Sequence, residues 1–151
     1  DTGLQWMRCH LGQAWRNGAC AGEAKKYQWQ AALNVGNGYR YAGYSDWRVP
    51  IIQELQTLVY CSNGKTGQYK INGFESRKSE GGYGCGSDSR GPYTRPTINT
   101  SIFPNAASVV WSSSPVADYS GGAWGINFSS GYTYYNFRNY NSHVRLVRSG
   151  Q

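Results

Sequence analysis

The chain has 151 residues, with 15 Lys plus Arg against 8 Asp plus Glu, so its formal charge is +7 and its pI about 9.3. Charged residues make up only 15 % and aromatics also 15 %, with glycine at 20 positions; an average soluble domain is about 25 % charged, so this is no charge-rich disordered tail. The apolar stretches around Ile51 and Val109 fall far short of the roughly 20 residues a bilayer span needs, and the length suits one compact domain over residues 1–151 that can bury about two thirds of its unfolded surface. No signal peptide precedes Asp1, so any export sequence is expected to lie outside this chain.

The first predicted element is a helix from Gly22 to Asn34, where Ala24, Tyr27, Ala31 and Leu33 line one side and Lys25, Lys26 and Gln30 fall elsewhere. A second helix opens with Pro50 at its first position; Ile51, Ile52, Leu55, Leu58 and Val59 follow at core-facing spacing, and it ends near Cys61. Residues 62–95 are rich in Gly, Ser, Tyr and basic side chains with no period of either kind, which reads as a long excursion tied by Cys85. From Ala123 to Phe128 the pattern alternates, with Trp124, Ile126 and Phe128 on one face. Ser129-Ser130-Gly131 then turns the chain into the Tyr132 to Phe137 run, which predicts a hairpin. In the tail, Val144, Leu146 and Val147 include a core face, whereas Arg145 and Arg148 must find solvent or a partner. Two helices followed by short strands make this an α+β domain with antiparallel sheet and long loops.

Cys9, Cys20, Cys61 and Cys85 form an even set without a C-x-x-C pair, and their spacing suits no zinc site. Two disulfides are the better reading. The sequence permits three connectivities; Cys9 with Cys20 and Cys61 with Cys85 is favoured because each closes a local, glycine-containing loop. Such bridges are worth about 3 kcal/mol each and persist only in oxidising compartments, which points to a secreted or surface location. Four buried free thiols in a cytosolic protein are the competing reading.

Several stretches look familiar in order along the chain: Thr2-Gly3-Leu4-Gln5-Trp6-Met7 running into Cys9, Tyr27-Gln28-Trp29-Gln30-Ala31-Ala32-Leu33, Gly43-Tyr44-Ser45-Asp46-Trp47-Arg48-Val49-Pro50, and Glu54-Leu55. Further on come Ile98-Asn99-Thr100 with Ile102-Phe103-Pro104, Trp111-Ser112-Ser113-Ser114-Pro115, Ala123-Trp124-Gly125-Ile126-Asn127-Phe128 and Val144-Arg145-Leu146-Val147-Arg148. Together they resemble the Lcl C-terminal domain family, named for the C-terminal domain of the Legionella collagen-like adhesin. The resemblance implies a C-type-lectin-like fold. It also implies the properties of the adhesin that names the family, a trimer on a collagen-like stalk that binds sulfated glycosaminoglycans through this domain. Two departures matter. No Gly-X-Y stalk occurs here, so a homotrimer is implied only by the resemblance. The Glu-Pro-Asn and Trp-Asn-Asp signatures of calcium-dependent lectins are also absent, Trp111 being followed by Ser112, which disfavours calcium-mediated sugar binding.

Catalysis has little support. There are two histidines, His10 and His143, no G-x-S-x-G, H-E-x-x-H or Walker-type loop, and sparse acids; neither an enzyme, a cofactor nor a metal is expected. His10 reads as a polar group near a bridge and His143 as an exposed loop residue. Charge says more. Net formal charge is +2 for residues 1–61, +3 for 62–95, −1 for 96–128 and +3 for 129–151. Lys65, Lys70, Arg77, Lys78, Arg90 and Arg95, interleaved with Tyr69, Tyr83 and Tyr93, and later Arg138, are the expected ligand-binding residues. Arginine meets a sulfate with two parallel hydrogen bonds and lysine acts as a point charge. The bland alternative is a solvated surface that keeps the protein soluble. Arg48, Arg145 and Arg148 read instead as structural partners of Asp46, Glu54 or backbone carbonyls, and Arg40 could lie either way.

The aromatics offer a second reading. Tyr132 and Tyr134 share a strand face, Tyr135 takes the other, and with Tyr140 they either reach solvent, where rings stack on sugars, or seal an interface. Trp6, Trp29, Trp47, Trp111 and Trp124 are expected in the core. The leading expectation is a secreted or surface adhesin domain for heparin-like or chondroitin-sulfate-like chains. A calcium-independent lectin for neutral glycans and a protein-interaction or trimerisation module are the alternatives. Neither nucleic acid nor membrane insertion is expected.

Overall fold

The computed structural model describes residues 2–64, 84–86, 93–106 and 109–150. Lys65, Lys70, Arg77, Lys78 and Arg90 lie outside them. The described elements run, in chain order, β1 (Leu4–Trp6), β2 (Ala14–Arg16), β3 (Ala19–Ala21), α1 (Trp29–Gly36), β4 (Tyr39–Tyr41), β5 (Tyr44–Trp47), α2 (Ile52–Gln56), β6 (Val109–Pro115), β7 (Gly122–Asn127), β8 (Tyr132–Phe137) and β9 (Val147–Ser149). Every described strand pair is antiparallel: β6-β7-β8 form a sheet, and β1 pairs β9, β2 pairs β3, β4 pairs β5. Both disulfides form as expected, Cys9 to Cys20 and Cys61 to Cys85.

Alternation along β6 divides the core. Val110 points into one cluster with Ile52, Leu55, Ile98, Phe103, Val116, Trp124, Ile126 and Phe128; Trp111 points into the other, with Met7, Leu11, Trp29, Ala32, Trp47, Val49, Val144 and Leu146. The sheet thus has apolar packing on both faces. Two indoles cross between α1 and β6: Trp29 Nε1 donates to Ser112 O (2.8 Å) and Trp111 Nε1 to Tyr27 O (2.7 Å). Each buried ring therefore contributes its apolar area and satisfies its one polar group.

The first helix is shorter than its periodicity predicts. Residues before Trp29 are taken by pairings with distant chain: Lys25 N–H donates to Leu11 O, and Tyr27 exchanges hydrogen bonds with Ser142. The helix then buries Trp29, Ala32 and Gly36, with Leu33 partly buried, whereas Ala31 is exposed. Gly36 is required by contact, since a Cβ there would meet Val49 Cγ2 at 2.6 Å.

Pro50 lies two residues ahead of α2 rather than in its first turn. Ile51 is its N-cap; Glu54 reaches back to the Ile51 N–H (3.0 Å), and Ser114 Oγ accepts from the Ile52 N–H. Beyond Gln56 the chain tightens into three-residue turns, Leu58 N–H to Leu55 O and Val59 N–H to Gln56 O, so Leu58 and Val59 pack without extending the helix. The predicted hairpin is present as β7 and β8, in register from Gly122 opposite Phe137 to Asn127 opposite Tyr132. The tail is also as its pattern predicts, with Val144, Leu146 and Val147 fully buried.

Candidate functional site

Three arginines serve the fold, as their places in the sequence suggest. Arg48 makes a two-pronged pair with Glu54, both N···O distances 2.7 Å. Burial raises the Glu54 pKa, but the bonds from Arg48 and the Ile51 N–H outweigh it, and the net shift is downward. Arg148 holds Asp46 at 2.7 and 3.1 Å, reaches Gln5, and lies over the Tyr44 ring; the hydrogen bond from Arg148 lowers the Asp46 pKa. Arg145 is only 1 % exposed. It has no carboxylate among the described residues; it donates to Met7 O and Arg8 O and lies over Phe103.

His10 sits beside that buried cation, its Nε2 3.3 Å from Arg145 Nη2. Burial, then the Arg145 charge and then His143 push its pKa down to about 3, so at neutral pH it is an uncharged packing group. His143 is not the exposed residue its position suggests. It is half-buried, its backbone pairs with Val110, and its ring lies 5.6 Å from that of His10. No group of three or more His, Cys, Asp or Glu that could hold a metal ion occurs among the described residues.

Two of the expected ligand-binding cations are described. Arg95 is exposed, with its guanidinium 4.3 Å from the Tyr93 ring centroid. Arg138 is half-buried over Trp29, and its Nε donates to Gly122 O (2.8 Å). The two occupy different parts of the fold: Arg95 adjoins the Cys61–Cys85 bridge through Tyr93, and Arg138 follows β8. Tyr132, Tyr134 and Tyr135 are all half-buried, Tyr135 against Trp124 and Tyr119, while Tyr140 is exposed.

A cleft more enclosed by aromatic side chains lies elsewhere. This cleft of about 520 Å³ is lined by residues 6–11 together with Gln13, Ala14, Trp15, Tyr39, Tyr41 and Trp47, a volume within the range of small-ligand sites. Its floor is held by Met7 N–H to Leu146 O, Leu11 N–H to Val144 O, Arg145 on the carbonyls of residues 7 and 8, and the Cys9–Cys20 bridge. One wall is Trp15, carried by the β2–β3 hairpin. The other is the β4–β5 hairpin, whose Tyr39, Tyr41 and Tyr44 are exposed. Trp47, expected in the core, is there; its indole N–H donates to Tyr41 O at 2.9 Å and its ring meets the Tyr41 ring edge-on. Of the five tryptophans expected in the core, Trp6 alone is only half-buried, and it faces this cleft.

Among the described residues that line the cleft, Arg8 is the one cation: none of them is a carboxylate, and His10 is neutral. The sequence marks Arg8 only as the neighbour of Cys9 and gives Trp15 no motif of its own. Tyr39-Arg40-Tyr41 is more legible, because it alternates around a cation.

The sequence model of the Lcl C-terminal domain matches residues 1–148. The chain belongs to that family. This Lcl C-terminal domain is thus adhesin-related, and its two disulfides are compatible with an extracellular or surface location. Among the described residues no helix is long and apolar enough to cross a membrane. No curated protein and no solved structure matches the chain.

Proposed function

We propose that this Lcl C-terminal domain is a secreted or surface adhesin module that binds sulfated glycosaminoglycans, heparin-like or chondroitin-sulfate-like, through basic side chains. It acts as a homotrimer of C-type-lectin-like subunits, as a binder rather than an enzyme. The observation that carries this is the state of the basic excess. Besides Arg95, the residues Arg8, Arg16, Lys25, Lys26 and Arg40 are exposed, and none of the six has an ion-pair partner among the described residues. The chain's +7 charge is therefore not spent internally on this part of the surface. Family membership and the antiparallel closure of β1 on β9 support the fold reading.

A sulfated polysaccharide carries closely spaced anions and a condensed counterion cloud. Displacing those counterions makes binding favourable and steeply salt-dependent, as it does for nucleic acids. Three copies engaging one chain gain about 10²-fold or more over one copy through effective concentration.

Heparin affinity chromatography at several salt concentrations tests the charge mechanism: retention should weaken steeply as salt rises, and salt-independent retention refutes it. Arg77→Ala with Lys78→Ala should weaken retention without changing thermal stability, the outcome expected of charges that serve binding rather than folding. Sedimentation should give three times the 16.8 kDa chain mass. The exposed Tyr39, Tyr41 and Tyr44 favour a second reading, a calcium-independent lectin for neutral glycans, whose binding would survive high salt.

A further inference from the structure

The cleft between the β2–β3 and β4–β5 hairpins combines several features of a ligand seat. It is concave, it is walled by Trp6, Trp15, Tyr39 and Tyr41, and its floor is tied to the C-terminal segment and a disulfide. Arg8 is held with its guanidinium 4.7 Å from the Trp15 ring centroid and makes no side-chain hydrogen bond or ion pair among the described residues. Stacking on an indole restrains the guanidinium while leaving its in-plane N–H groups available to an oxyanion. Beside the cleft lies a second depression lined by residues 40–45; it shares Tyr41 with the first and carries Arg40.

We propose that this cleft binds one ring of an acidic saccharide, resting on the polyanion-binding reading above and giving that polyanion a defined seat. Tyr39 and Tyr41 contact the apolar face of the sugar ring and Arg8 pairs with its sulfate. Preformed walls lower the ordering cost of binding. The seat selects acidic over neutral sugars because Arg8 supplies a charge that no carboxylate among the described lining residues offsets.

The test titrates the whole chain with a heparin-derived hexasaccharide and with its desulfated counterpart, by calorimetry and tryptophan fluorescence. The sulfated probe should perturb the fluorescence, and Trp15→Phe should reduce that change. Arg8→Gln should weaken binding about tenfold or more, the scale of a lost charge-assisted hydrogen-bond pair. Tyr41→Ala should weaken it about tenfold. Both variants should melt close to the parent, since Arg8 and Tyr41 are exposed. If the parent binds heparin with steep salt dependence while both variants bind the hexasaccharide as tightly as the parent, the cleft is not the seat and the proposed function stands. If the parent binds neither heparin nor hexasaccharide at low salt, both readings fall. Equal affinity for the desulfated probe overturns the role given to Arg8.

Discussion

A buried guanidinium with no carboxylate among the described residues survives here because its N–H groups meet backbone carbonyls, which accept without adding a charge of their own. Desolvation lowers the Arg145 pKa to about 10, so it remains protonated at neutral pH and adds to the burial that keeps its neighbour His10 neutral. That arrangement has a consequence in acid. The folded-state pKa of His10 is about 3 against an ordinary 6.5, through burial, Arg145 and His143. The unfolded chain therefore takes up the proton first as pH falls. Stability is full above about pH 6.5 and declines from there towards pH 3, by about 3 kcal/mol between pH 7 and pH 4 from this group alone. His143, whose pKa burial and then Lys26 also lower, adds to the decline, as do Asp46 and Glu54. Melting temperatures of parent and His10→Gln across this window should converge in slope only where His10 no longer titrates. Parallel curves between pH 6.5 and 4 would show that His10 does not carry the effect.

The short hairpins are governed by their turns. In β2–β3 the connecting Asn17-Gly18 has φ of 51° and 78°, the left-handed pair that a two-residue turn demands and that Asn-Gly supplies with little strain. The β4–β5 hairpin makes the same demand with Ala42-Gly43, at φ of 54° and 83°. Alanine pays for that conformation with a Cβ clash that asparagine tolerates better. Ala42→Asn should therefore stabilise the domain by about 0.5–1 kcal/mol, read as a raised denaturant midpoint with an unchanged slope. A lowered midpoint would mean that the turn relaxes away from this geometry in solution. The dipeptide Asn17-Gly18 is a hairpin signal visible in the sequence, but the strands it joins are three residues each and carry no alternation to mark them. The longer β7–β8 pair is legible because six residues on each side give the period room to show.

At the scale of the molecule, long-range closure dominates. The C-terminal segment runs beside both β1 and the chain after β5: Leu4 pairs with Ser149, Trp6 with Val147, and Arg48 exchanges backbone bonds with Val147. Closing such contacts costs chain entropy, which the two disulfides reduce in the unfolded state. Their sequence separations of 11 and 24 correspond to about 3 kcal/mol each in the chain-entropy model. Replacing Cys61 and Cys85 together by serine should lower unfolding free energy by about that amount, measured by denaturant titration of the oxidised proteins. No loss would place the stabilisation elsewhere. The same closure builds the candidate site, since the cleft's floor, from Trp6 to Leu11, is fixed by residues more than a hundred positions away.

Family, charge balance, the presence of two bridges, the β7–β8 hairpin and the structural duties of Arg48, Arg145 and Arg148 were legible in the sequence itself, because each is written in local spacing, composition or residue type; which cysteines pair was only favoured there and was fixed by the fold. Whereas α2 ends early in its own three-residue turns, the late start of α1 and the burial of His143 were decided only by tertiary contact. There, distant carbonyls and N–H groups claimed backbone that periodicity alone would have left helical or exposed. The cleft belongs to the same class. Arg8, Trp15 and Tyr41 meet only because a bridge, a hairpin and the returning chain end converge on them, and no one-dimensional pattern records that meeting.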